Sequence, residues 1–349
     1  MKIRFWPSLQ LLAQVRIARG ILCNLEFENV FPNFVHGVGF IDLEYMHQIL
    51  SSFHLTNVLK NRTMGIIEAL GKEIESWCSC HRSFLIDSNH DYWNRIQWYS
   101  HGTINRLETA RALIRDEDIN IVKRFNLACE YYLEADVRTL WENMSSGHRQ
   151  FFITKNKNRN RKFWLNALQT NTPLDWLAIS LAIMSNDFSI HDPSSYFYWS
   201  FLGLLHFFPK LNYAPARLSS ILCSVGRREL HPFDFYLCLR QMNEHELDSL
   251  FHYLSREKRL KMCEWFLQWP LQILFLDLFQ HLRRNMSKKF YNMLFKFIFF
   301  EKYKSKWLDY DYLNLVKQIW SSVSDDIKTR IKNGGMYVFL KVLLDIDGQ

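Results

Sequence analysis

The densest group of side chains able to bind or transfer something is Cys78-Ser79-Cys80-His81. Two thiols and an imidazole in so short a run are the donor types zinc prefers, but the spacing is not that of a zinc finger and no second ligand pair lies nearby. Buried thiols at a helix end are the expected reading, with a metal site as the alternative. Acidic side chains gather in Asp116-Glu117-Asp118, where they suit the start of a helix. No Gly-x-Ser-x-Gly elbow is present, and Gly37-Val38-Gly39 lacks the remaining glycines and the lysine of a phosphate cradle. No catalytic residue, metal site or cofactor is therefore expected. An enzyme of unrecognised type, using His90, His101 or His191, stands as a further alternative.

Two doublets, His90-Asp91 and His191-Asp192, resemble the His-Asp pair of metal-dependent phosphohydrolases, in which side chains from separate helices converge on metal ions. Both sit among turn-forming residues, where a cap or a loop explains them as well. The run from Lys155 to Lys162 alternates cations with Asn and precedes Phe163-Trp164. A basic loop followed by rings could track a nucleic-acid backbone and stack on bases. Yet Phe163 and Trp164 also suit the core of a following helix, so an exposed loop over 155–162 is expected and nucleic-acid binding is not.

The N-terminal segment Trp6-Pro7-Ser8-Leu9-Gln10-Leu11-Leu12-Ala13-Gln14-Val15-Arg16-Ile17 places Pro and Ser where a helix starts. Leu9, Ala13 and Ile17 then recur every four positions, on one face. This segment resembles the elongin-binding helix of SOCS-box proteins. In that family a Leu after Ser, Thr or Pro enters a pocket on elongin C, a small residue four positions on allows close approach, and an aliphatic residue follows four beyond. The resemblance implies that Ser8, Leu9, Ala13 and Ile17 bind elongin B/C and recruit a cullin. It departs from the family in its N-terminal position, and the cullin-selecting segment is matched only by Phe31-Pro32-Asn33-Phe34. The competing explanation is a capping helix that buries the same three side chains against the next hairpin.

The elements that would carry these residues are helices. Leu140-Trp141-Glu142-Asn143-Met144-Ser145 returns as Leu250-Phe251-His252-Tyr253-Leu254-Ser255 and as Ile319-Trp320-Ser321-Ser322-Val323-Ser324. The copies start 110 and then 69 positions apart, near three and two units of the roughly 35 residues typical of helix-pair repeats. Val122, Phe125, Cys129 and Tyr132 form one apolar stripe, and Leu247, Leu250, Phe251, Leu254 and Leu260 form another, predicting one helical face that leaves Glu246, Asp248, Arg256 and Lys258 wet. Asn333-Gly334-Gly335 is expected to end a helix in the left-handed conformation. The repeats resemble degenerate ankyrin-type units, and the Pro-Ser-Leu-Gln start joined to eroded repeats is similar to arachnid helical-repeat proteins. The expected fold is all-α, an elongated stack of helical hairpins with no substantial β-sheet. Residues 1–154 would form an N-terminal region and 163–349 the C-terminal repeats, joined by the basic loop.

Composition agrees with helices. Only 12 Gly and 8 Pro serve 349 residues, and 28 Phe, 15 Tyr and 12 Trp supply core volume. Seven unpatterned cysteines suit reduced thiols, and Arg4, Gln10, Gln14, Arg16 and Arg19 interrupt any signal-peptide core. The most apolar windows fall short of the roughly 20 clean residues of a membrane span. A net charge of +8 is dispersed along the chain. These features lead to a cytoplasmic location, with the nucleus as alternative, and to a non-enzymatic protein-interaction module. Its two forms are an adaptor for an elongin-cullin ubiquitin ligase and a scaffold without that link.

Overall fold

The computed structural model describes residues 4–23, 43–85, 92–154, 159–185, 201–283 and 286–346. Among them the chain is built from helices and contains no strand; an isolated bridge joins Trp98 to Ile104. The all-α expectation holds.

In chain order the helices are α1 (Leu9–Cys23), α2 (Leu43–Ser52), α3 (Asn57–Leu85), α4 (Arg106–Arg115), α5 (Ile121–Glu130), α6 (Glu134–Asn143), α7 (Ser146–Thr154), α8 (Arg159–Gln169) and α9 (Trp176–Ser185). There follow α10 (Leu204–Phe207), α11 (Ala214–Ser224), α12 (Pro232–Leu239), α13 (Glu244–Tyr253), α14 (Arg256–Phe266), α15 (Phe275–Leu282) and α16 (Lys288–Phe297). A π-helical turn (Ile298–Tyr303) leads to α17 (Tyr312–Ser322), α18 (Asp325–Lys332) and α19 (Tyr337–Asp345).

The three similar segments fold alike at the local level. Leu140, Leu250 and Ile319 are buried near the ends of α6, α13 and α17. Met144, Leu254 and Val323 follow as buried, extended C-caps. Ser145, Ser255 and Ser324 then precede the next helix, their carbonyls accepting from Arg149, Arg259 and Lys328. The Ser145 and Ser255 hydroxyls accept from the amides of His148 and Lys258, each at 3.3 Å, satisfying donors the first turn would otherwise leave bare.

Several expectations are corrected. The stripe from Leu247 to Leu260 is not one helical face: the Asn243–Glu246 capping box starts α13 and Ser255 starts α14, so Leu260 belongs to a different helix from Leu247. Glu246 is buried, because its carboxylate serves that box and pairs with Arg217 at 3.1 Å. Asp116-Glu117-Asp118 does not start a helix; Asp116 caps the end of α4 and binds Arg95, and Asn120 caps α5. Asn333 ends α18 with φ −80°, so this stop uses no left-handed residue there. Arg159 to Lys162 lie within α8 and not in the expected loop, and 155–158 fall outside the described residues.

Helix α3 ties the chain together. Its apolar positions Ile66, Ile67, Leu70, Ile74 and Trp77 are wholly buried, α1 lies along it, and α5 packs on it farther on. Gly65 permits the closest approach: a Cβ there would stand 2.4 Å from the backbone of Leu308 and Asp309. From α9 onward, several helices pack on the helix two positions along, as α9 on α11, α10 on α12, α11 on α13, α14 on α16, α16 on α18 and α17 on α19, while α14 also packs on its immediate neighbour α15.

Candidate functional site

The resemblance concerns α1, and its geometry follows from its first turn. The Leu11 N–H donates to Ser8 Oγ at 3.1 Å and the Leu12 N–H to the Ser8 carbonyl at 3.0 Å, so Ser8 is the cap that orients the helix. Ahead of it the Phe5 N–H donates to the Tyr236 hydroxyl at 2.8 Å, and the Phe5 ring packs edge-on against His101 and Phe233. The start of α1 is thereby pinned to α12.

Leu11, Val15, Ala18 and Leu22 form the buried face of α1. Leu9, Ala13, Arg16, Ile17 and Gly20 fall within an arc of about 100° on the opposite face, and all five are exposed. Leu9 is 85% exposed and Trp6, just ahead of the cap, 77%. The capping-helix alternative, in which Leu9, Ala13 and Ile17 are buried against a following hairpin, does not fit this arrangement. Sequence reasoning missed Trp6, although a Trp beside a helix cap with no periodic partner was a usable signal. Phe31-Pro32-Asn33-Phe34 lies outside the described residues.

The thiol-imidazole run sits in the last turns of α3. His81 is buried and both ring nitrogens are occupied: Nδ1 faces the Trp77 carbonyl at 2.8 Å and Nε2 the Tyr131 hydroxyl at 2.7 Å. A carbonyl only accepts, so Nδ1 carries the proton and Nε2 accepts from Tyr131. Burial, aided by Arg106, lowers the His81 pKa to about 3, and burial pushes the Cys78 thiol up to about 12. Cys80 donates to the Arg228 carbonyl at 3.2 Å. Cys78, Cys129, Cys223, Cys238 and Cys263 are buried. Among the described residues no three His, Cys, Asp or Glu side chains are grouped to hold a metal ion. Both His-Asp doublets lie outside them. Trp164 is buried and its Nε1 donates to the Cys129 carbonyl at 3.2 Å, so this ring does not present a stacking surface.

A buried ionic centre joins α3, the start of α4 and the start of α12. Glu73 Oε1 accepts from the Ile104 N–H at 3.1 Å and lies 3.5 Å from Arg106 Nη2, and Oε2 meets His231 Nε2 at 2.7 Å. The His231 Nδ1 accepts from the Phe233 N–H at 3.2 Å, which fixes the proton on Nε2. Burial opposes a charge on Glu73, yet His231 and Arg106 together hold its carboxyl below the ordinary value. Burial raises Asp234 nearby, against His231 and Arg106. Neither His81 nor His231 keeps a ring nitrogen free to take a proton from a bound molecule, so both act as locks between helices. These residues are far apart in sequence; the trace of the centre was Glu73 within the apolar stripe of α3.

Comparison with protein-family models, curated proteins and solved structures finds no match to this chain. No helix among the described residues is long and apolar enough to cross a membrane.

Proposed function

We propose that the chain is a protein-interaction module that docks on elongin C through α1 and serves as a recruiting subunit of an elongin-cullin ubiquitin ligase. The observation that carries this reading is the exposure of Leu9, Ala13 and Ile17 on one face of a helix whose opposite face is buried. Leu9 would enter a pocket, Ala13 would let the partner helix approach, and Ile17 would extend the contact, as the resemblance to SOCS-box helices implies. Ser8 would contribute by capping. The remaining helices would form stacked pairs that hold a client. The packing of several of the later helices on the one two positions along, and the three locally similar helix-Ser-helix corners, support a repeat architecture of this kind. The cytoplasm, or the nucleus, would be the site of action.

Co-expression with elongin B and C tests the reading. The expected result is a complex that co-purifies at micromolar concentration. Leu9→Asp should weaken it by about 30-fold or more, the effect of losing a hot-spot contact of about 2 kcal/mol. Its thermal unfolding should stay unchanged, since the Leu9 side chain touches little of its own chain. Absence of any complex at micromolar concentration would overturn the assignment.

A further inference from the structure

A cavity of about 340 Å³ opens where α3 faces the start of α12, the turn after α14 and the π-helical turn. Trp269, Phe297 and Trp307 supply ring surfaces to its wall, and Glu73, His231 and Lys302 supply charge and polarity. Glu73 and His231 already satisfy one another. Lys302 is different. It is 6% exposed, its ammonium sits 4.5 Å from the centre of the Trp307 ring and 5.5 Å from that of Tyr312, and that ammonium makes no hydrogen bond or ion pair among the described residues. Ring faces stabilise a cation without consuming all three N–H donors, so donors remain for a bound molecule. The residue belongs to a π-helical turn, a rare distortion that often marks a functional position.

We propose that this cavity binds a small aromatic monocarboxylate, its carboxylate on the Lys302 ammonium and its ring among Trp269, Phe297 and Trp307. The volume lies at the lower end for ligand pockets and fits one ring with a short acidic arm. Lys72 also lines the wall but pairs with Glu75 at 2.9 Å, and the carboxylates of Glu73 and Glu301 beside Lys302 disfavour a multiply charged phosphate while tolerating a single carboxylate. Burial works against the ammonium and lowers its pKa, with Asp309 and Glu301 opposing the shift. A bound carboxylate would add a contacting counter-charge to the more distant ones of Asp309 and Glu301, neither of which forms an ion pair with Lys302. The inference rests on this cavity alone and is independent of the role of α1.

Isothermal titration calorimetry with phenylacetate as the probe tests it. Saturable one-to-one binding is expected, with the amide phenylacetamide and inorganic phosphate each about tenfold weaker or worse. Lys302→Met, which keeps the length and removes the charge, should weaken phenylacetate by about tenfold or more while unfolding at no lower temperature. If that variant does not fold, the acid-amide comparison on the unaltered protein decides. No saturable heat up to about 5 mM, equal affinity for acid and amide, phosphate binding as tightly as phenylacetate, or unchanged binding by folded Lys302→Met would each overturn the proposal.

Discussion

Two buried histidines show how a single position acquires properties its type does not announce. His81 is held neutral with its pKa lowered to about 3, and burial lowers that of His101 to about 4. In the unfolded chain each takes up a proton near pH 6.5, so below that value the unfolded state binds more protons than the folded one. Their contribution to stability is complete above about pH 6.5 and is lost progressively as pH falls toward 4 for His101 and 3 for His81. Each should add about 1.4 kcal/mol of lost stability per pH unit within that window. Urea midpoints measured from pH 7 down to about 4 check this, with His81→Gln expected to flatten the slope by about one proton; an unchanged slope would show that His81 titrates normally. Nothing in Cys78-Ser79-Cys80-His81 revealed that its imidazole would be shared between the Trp77 carbonyl and Tyr131, because Tyr131 arrives from a different helix.

Among the elements, the repeated segments were legible because their apolar spacing and the Ser at each corner are local properties. Their lengths were less so: the run from Leu247 to Leu260 keeps a helical period through the Leu254-Ser255 corner, and periodicity alone does not see the cap that divides it. Burial is not spread evenly through the repeated segments, as Trp141 and Phe251 show. Both are half-buried, with the Phe251 ring stacked on His281, while the neighbouring Leu250 is wholly covered. Leu250→Ala should therefore cost about 2–5 kcal/mol, and Phe251→Ala less. Chemical denaturation of the two variants gives the order directly; the reverse order would place the core on the other side of α13.

For the molecule as a whole, α3 is the member that joins early and late parts of the chain. It meets the backbone at Leu308 and Asp309 through Gly65, the Arg228 carbonyl through Cys80, and His231 through Glu73. The Trp269 indole donates to the His101 carbonyl at 3.0 Å, adding a further tie between regions the sequence separates at the basic run. Gly65→Ala places a methyl group against backbone, which cannot swing aside as a side-chain tip would. A loss of about 1–3 kcal/mol is expected from the forced shift. The readout is the unfolding free energy, together with fluorescence of Trp307 to follow the contact; a neutral substitution would mean that α3 and the 308–309 segment separate easily.

The sequence by itself determined the helical class, the local corners at Ser145 and Ser255 and the cap at Ser8, since each depends on residues within a turn or two of one another. It also set Leu9, Ala13 and Ile17 on a common face, because helical period is a property of the chain. Tertiary structure alone decided that this face is exposed, that Glu73 meets Arg106 and His231, and that Lys302 lies buried over Trp307 at a cavity wall. The physical reason is the same in every case: burial and charge pairing are set by which distant segments pack together, and spacing along one helix carries no record of its neighbours.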